Sequence, residues 1–73
     1  MNEYLPPNEP LASETIALDR KVFFLDLKEN ASGRYLKITE DLGGRHDTIM
    51  VPTTAVREFI AALVRIAEFE SKL

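Results

Sequence analysis

Apolar and polar residues alternate along much of the first two-thirds of this chain. That alternation marks strands with one buried face. Residues 13–20, SETIALDR, place Ile16 and Leu18 on one side and Thr15, Ala17 and Asp19 on the other. Residues 21–29 form the strongest strand. There Phe23, Leu25 and Leu27 share one face, and Val22, Phe24, Asp26 and Lys28 share the other. These β-branched, aromatic and large aliphatic side chains suit a pleated surface. Asn30-Ala31-Ser32-Gly33 reads as a turn, with Asn30 and Gly33 tolerating positive φ. Residues 34–41 alternate again, Leu36 and Ile38 against Tyr35, Lys37 and Thr39. Gly43-Gly44 marks a loop, and residues 47–52 read as a fourth strand with Ile49 and Val51 inward. Pro52 stops that strand or confines it to an edge.

The apolar period then changes. Val56, Phe59, Ile60, Leu63, Ile66 and Ala67 recur at helical spacing and predict a helix over about residues 55–71. Thr53 or Thr54 is the expected N-cap. Arg57, Glu58, Arg65, Glu68 and Lys72 fall mainly off the apolar stripe.

This order predicts an α+β fold: a four-stranded antiparallel sheet followed by one C-terminal helix. One helix cannot cover both faces of such a sheet. The face carrying Phe24, Lys28, Tyr35 and Lys37, with Met50 a candidate member, is left for a dimer interface or a binding platform. Residues 1–12, MNEYLPPNEPLA, hold three prolines and two acids and read as a flexible acidic tail. Residues 13–73 then form a single domain.

Length sharpens the expectation of a dimer. A chain of 73 residues buries a marginal core. It has no cysteine to staple and a single histidine, so neither disulfides nor a metal site is expected. Self-association is the remaining common way to enlarge the core. Neither a signal peptide nor a membrane span is read, and the expected location is cytoplasmic, with the nucleoid as an alternative address.

The net charge of −3 argues weakly against a polyanionic ligand, but its distribution does not. Residues 1–19 carry four acids and no base. Residues 20–45 carry Arg20, Lys21, Lys28, Arg34, Lys37 and Arg45 against Asp26, Glu29, Glu40 and Asp41, a local excess of +2. A charged ligand responds to local potential more than to the total.

Catalytic chemistry is thin. His46 sits in a glycine-flanked stretch beside Asp47, with nothing to place a nucleophile near it. Asp26 and Glu29, three apart on a strand, point to opposite faces. Gly43-Gly44 lacks the following Lys-Ser/Thr of a phosphate loop. The chain is therefore expected not to be an enzyme and to need no cofactor. A platform for single-stranded nucleic acid needs aromatic faces for bases and cations for phosphates. Phe24, Lys28, Tyr35 and Lys37 supply both on one face, although the same alternation also serves ordinary packing.

Residues 21–38, KVFFLDLKENASGRYLKI, resemble the core signature of the PUR repeat, found in the purine-rich-element-binding proteins of the Pur-alpha family. The family pattern runs L-D-[VL]-K-[EQ]-N, two variable residues, then G-R-[FY]-[LI]-K-[IV]. Leu25-Asp26-Leu27-Lys28-Glu29-Asn30 and Gly33-Arg34-Tyr35-Leu36-Lys37-Ile38 follow it closely. Similarity extends to Leu11-Ala12-Ser13. It also reaches Ala55-Val56-Arg57-Glu58-Phe59, which is similar to an A-x-E-F segment with one residue inserted. The resemblance spans about residues 11–70.

It implies a β-β-β-β-α repeat, two of which intertwine. A single-repeat chain of bacterial type would do so as a homodimer. It also implies binding of purine-rich, often G-rich, single-stranded DNA or RNA, with a role in transcriptional or post-transcriptional regulation. By the same resemblance Arg20 and Lys21 contact phosphate, Lys28 and Asn30 contact backbone or base edges, and Tyr35 stacks on a base. Arg34, Lys37 and Arg45 fall at or near basic positions. Asp19, where an amide is usual, and the uncharged pair Ala31-Ser32, often basic, depart from the family pattern. The Ala31-Ser32 pair and the acidic tail motivate the alternative, a dimer of the same fold that serves structure or protein interaction without binding nucleic acid.

Overall fold

The computed structural model describes residues 9–73. The tail expectation for residues 1–8 lies outside the described residues. Four strands are present: β1 (Ala12–Ala17), β2 (Val22–Asn30), β3 (Gly33–Asp41) and β4 (His46–Pro52). One helix follows, α1 (Thr53–Glu70). The strands form a single sheet in the order β1-β2-β3-β4, every pair antiparallel. This is the meander that the alternation and short connections predict. The strand boundaries lie within three residues of the predicted ones, coinciding at the ends of β3 and β4 and differing most at the end of β1. β1 starts one residue early at Ala12, and the Leu11 amide already donates to the Leu27 carbonyl at 2.7 Å.

Turn chemistry sets the register. In the β2–β3 hairpin Asn30 lies opposite Gly33, leaving a two-residue loop of Ala31 and Ser32. The Ser32 amide donates to Asn30 Oδ1 at 2.8 Å, an Asx turn that reverses the chain. Gly33 closes it at φ 131°, a conformation side-chain-bearing residues rarely adopt. A Cβ there would meet nothing within 4 Å, so the requirement for glycine is conformational rather than steric. Gly33→Ala is therefore expected to cost about 1–3 kcal/mol in urea denaturation without changing the sheet seen by circular dichroism. An unchanged midpoint would contradict this account. At the β3–β4 turn the Leu42 amide donates to the Arg45 carbonyl at 2.9 Å, and Gly43 and Gly44 both have positive φ.

Strand alternation sorts the sheet into two faces. One carries Ile16, Phe23, Leu25, Leu27, Leu36, Ile38, Ile49 and Val51. The helix stands on this face. It starts at Thr53 rather than Ala55, and its N-cap is Pro52, whose φ of −60° and ψ of 143° turn the chain out of β4. No side chain caps it, contrary to the expectation for Thr53 or Thr54. Instead the Thr53 hydroxyl donates to the Arg34 carbonyl at 3.3 Å and ties the helix start to β3. At the other end the Ser71 amide bonds the Ala67 carbonyl, and the Ser71 hydroxyl donates to the Glu68 carbonyl at 2.7 Å.

The predicted stripe is apolar, but the described residues of one chain do not cover it. Among the described elements the helix packs on β3 and β4 only. Among the described residues Val51, 8% exposed, is the one buried hydrophobic. Phe59, Ile60 and Leu63 on the helix remain exposed, as do Ile66 and Phe69 further along it. Between helix and sheet lies an open cleft of about 380 Å³, lined by apolar side chains including Phe23, Leu25, Ile38, Phe59 and Leu63. No helix among the described residues is long and apolar enough to cross a membrane.

Candidate nucleic-acid interface

The second sheet face carries no helix. Its residues fall in rows across the strands, set by the register. Lys28, Tyr35 and Pro52 form one row. Ser13, Asp26, Lys37 and Met50 form the next, and Thr15, Phe24, Thr39 and Thr48 the one after. Ala17, Val22, Asp41 and His46 close the far end. Directly opposed side chains in such rows are about 4.5–5.5 Å apart at Cβ, and successive rows are separated by two residues of strand, about 7 Å. Lys28 therefore stands beside the Tyr35 ring, with Lys37 one row behind. Lys28, Tyr35 and Lys37 are each half-buried, which fixes their stems while leaving ring face and ammonium groups accessible.

The face is electrostatically polar along its length. Its cations lie toward the β2–β3 hairpin with Asp26 beside Lys37 among them, and Asp41 lies at the opposite end. His46, expected in the preceding loop, opens β4 instead and sits across from Asp41. A strand of phosphates would find its counter-charges at the hairpin end and crossing the strands, rather than running the full length of the sheet.

The sequence-predicted site residues divide into three groups. Lys28, Asn30, Tyr35 and Lys37 share the open face at its hairpin end. Arg20 and Arg45 are exposed in the β1–β2 and β3–β4 connections, both at the other end of the sheet. Arg34 and Lys21 lie toward the helix-bearing face. Arg34 is in register with Glu29, so alternation turns it away from its neighbour Tyr35. Lys21 Nζ is 2.8 Å from Glu40 Oε2 and 5.6 Å from the centre of the Phe23 ring. That ion pair and cation–π contact occupy the ammonium group on the side opposite the Lys28–Tyr35 row.

At the hairpin end an open cleft of about 530 Å³ is lined by Asn30, Tyr35, Met50 and Pro52, by Ser32 of the turn and by Gly33 and Arg34 at the start of β3. Tyr35 offers a π-face, and Met50 and Pro52 add apolar walls. Asn30 is oriented by its turn, since Oδ1 is held by the Ser32 amide. That bond leaves the Asn30 amide hydrogens to face a ligand. The cleft thus combines a stacking surface, hydrogen-bond donors and a flanking cation. Pro52 was legible from sequence only as a strand terminator. Its place in the cleft follows from counting register outward from the Gly33 hairpin.

The sequence profile of the family described as "PurA ssDNA and RNA-binding protein" matches residues 2–73. The chain is 44% identical over 50 residues to Transcription factor Pur-alpha 1 of Arabidopsis thaliana, covering 68% of this chain and 17% of that protein. It is 35% identical over 66 residues to Transcriptional regulator protein Pur-beta of Homo sapiens, covering 89% and 21%. It is 32% identical over 75 residues to human Purine-rich element-binding protein gamma, covering 85% and 22%. The matched region spans about a fifth of the length of these curated relatives.

Proposed function

This chain belongs to the PurA family of single-stranded DNA- and RNA-binding proteins, and on that premise we propose that it binds single-stranded, purine-rich nucleic acid through its open sheet face, as a homodimer, in a regulatory role. The observation that carries the reading is the row in which Lys28 stands opposite Tyr35, with Lys37 one row behind and Asn30 at the adjoining turn. Tyr35 stacks on an unpaired base, Lys28 and Lys37 neutralise phosphates, and the Asn30 amide donates to a base edge or the backbone. Arg20 and Arg45 add long-range attraction from the far loops.

The homodimer is supported by what one chain leaves undone. Apolar residues cover more than half of the helix circumference at about 3.6 residues per turn, yet only β3 and β4 touch the helix. A single buried hydrophobic among the described residues cannot offset the conformational entropy of ordering the domain. The cleft between helix and sheet is dry in character and open. A second copy's helix, apolar on the same stripe, fills it in the intertwined arrangement.

The test is a fluorescence-anisotropy titration of labelled G-rich, C-rich and duplex oligonucleotides at low salt. Saturable micromolar binding to the G-rich single strand is expected. Its log affinity should fall linearly with log salt, by about 0.7 per phosphate neutralised. Absence of saturable binding at micromolar protein would overturn the reading and favour a dimer that serves protein interaction alone.

A further inference from the structure

Resting on the single-stranded nucleic-acid reading above, we infer that Asp26 is the specificity-determining residue of the open face, accepting the N1–H and N2–H donors of an unpaired guanine. A carboxylate in the middle of a face that meets a polyanion opposes binding unless it recognises something in particular. Asp26 is in the middle of its row, between Ser13 on β1 and Lys37 on β3. It is half-buried. Ser13 Oγ donates to its Oδ1 at 2.6 Å, which fixes the orientation of the carboxylate.

Lys37 lies directly across from Asp26 and Lys28 lies two residues along the same strand. Among the described residues, however, the one ion pair is Lys21–Glu40. The Asp26 carboxylate is therefore held by a neutral hydroxyl, with lone pairs to spare on both oxygens. Phe24 flanks it one row away on β2, and Tyr35 flanks it diagonally on β3. Diagonal neighbours on a sheet face are about 7–8 Å apart, within reach of an aromatic ring. A base stacked on Tyr35 thus brings its edge over the carboxylate.

The chemistry selects among bases. A carboxylate is acceptor-only and binds two parallel donors best. Guanine alone presents two adjacent N–H donors on its Watson–Crick edge. Adenine offers one amine beside an acceptor that the carboxylate repels. Cytosine also offers one amine beside an acceptor, and uracil or thymine one N–H between two acceptors. The Lys28–Tyr35 row is indifferent to which base stacks, and Asn30, its Oδ1 engaged by the Ser32 amide, offers only donors, so recognition of guanine's paired N–H donors falls to Asp26.

The experiment titrates three labelled single strands of equal length and design, with guanine, inosine or adenine at the purine positions, against wild type and Asp26→Asn. Inosine lacks the N2 amine and changes nothing else in the base. Wild type should bind guanine over adenine by about 5- to 100-fold, with inosine between. Asp26→Asn keeps the side-chain shape and an acceptor for Ser13. It should bring the three affinities within about twofold while holding or raising affinity for adenine, since a negative charge has left a polyanion site. Equal binding of guanine and inosine by wild type would overturn the inference without any variant having to fold. An equal shift of all three probes in Asp26→Asn would overturn it also, leaving Asp26 as a mere charge. If wild type binds none of the probes, the parent reading falls, and this inference with it.

Discussion

Leu63→Asp is expected to leave the chain unfolded at concentrations where the wild type is expected to be a folded dimer. Leu63 lies in the middle of the helix stripe and lines the cleft between helix and sheet, yet is 56% exposed in a single chain. In the proposed homodimer, that exposed surface is what a second copy would cover. Truncating a buried leucine costs about 2–5 kcal/mol, and burying an unpaired carboxylate in its place costs more, because the charge loses its hydration. A dimer carries the change twice. Total stabilities of about 5–15 kcal/mol leave no reserve for that. Light scattering and far-ultraviolet circular dichroism at tens of micromolar check it. A folded Leu63→Asp monomer, or a wild type that is itself monomeric there, would show that the exposed stripe serves something other than self-association.

The second large effect concerns Lys28→Ala combined with Tyr35→Ala. Single-strand affinity is expected to fall by at least tenfold at low salt. Loss of base stacking contributes about 1–3 kcal/mol per base, and loss of the lysine shallows the salt slope by about 0.7 per face. The two side chains oppose each other in register, so their effects should not simply add. Both positions are only half-buried on the face without a helix, and the fold should survive. Anisotropy titrations across a salt series check both parts. An undiminished affinity in a folded double variant would move the binding surface elsewhere on the molecule.

Strand and helix positions were legible because the apolar period is clean in both halves of the chain. Periods of two and of nearly four cannot be confused over runs of this length. What the sequence concealed was pairing between distant segments. Arg34 reads as one of a basic cluster, and only the parity of β3 relative to Tyr35 turns it to the other face. Lys21 reads as a free cation until Glu40, nineteen residues on, is brought within 2.8 Å. The threonines after Pro52 have the composition of an N-cap, but proline fixes the entry angle and the Thr53 hydroxyl is drawn to the Arg34 carbonyl instead. The helix stripe was read as covering one sheet face. Its width was visible in the sequence, but its reach across only β3 and β4 was not.

The meander has a kinetic corollary. Every strand pairs only with its neighbours in sequence, so each ladder closes through a connection of a few residues. Contacts so local form on the microsecond scale of isolated hairpins and helices. In the proposed homodimer, the step that is not local is the meeting of two helices with two sheets, which is bimolecular. There the local ladders form and dissolve quickly without being stable alone, and the pace of maturation is set by how often two chains collide. On that proposal, a newly made chain in dilute conditions would keep its helix stripe uncovered, where proteases and chaperones compete with the partner copy for it.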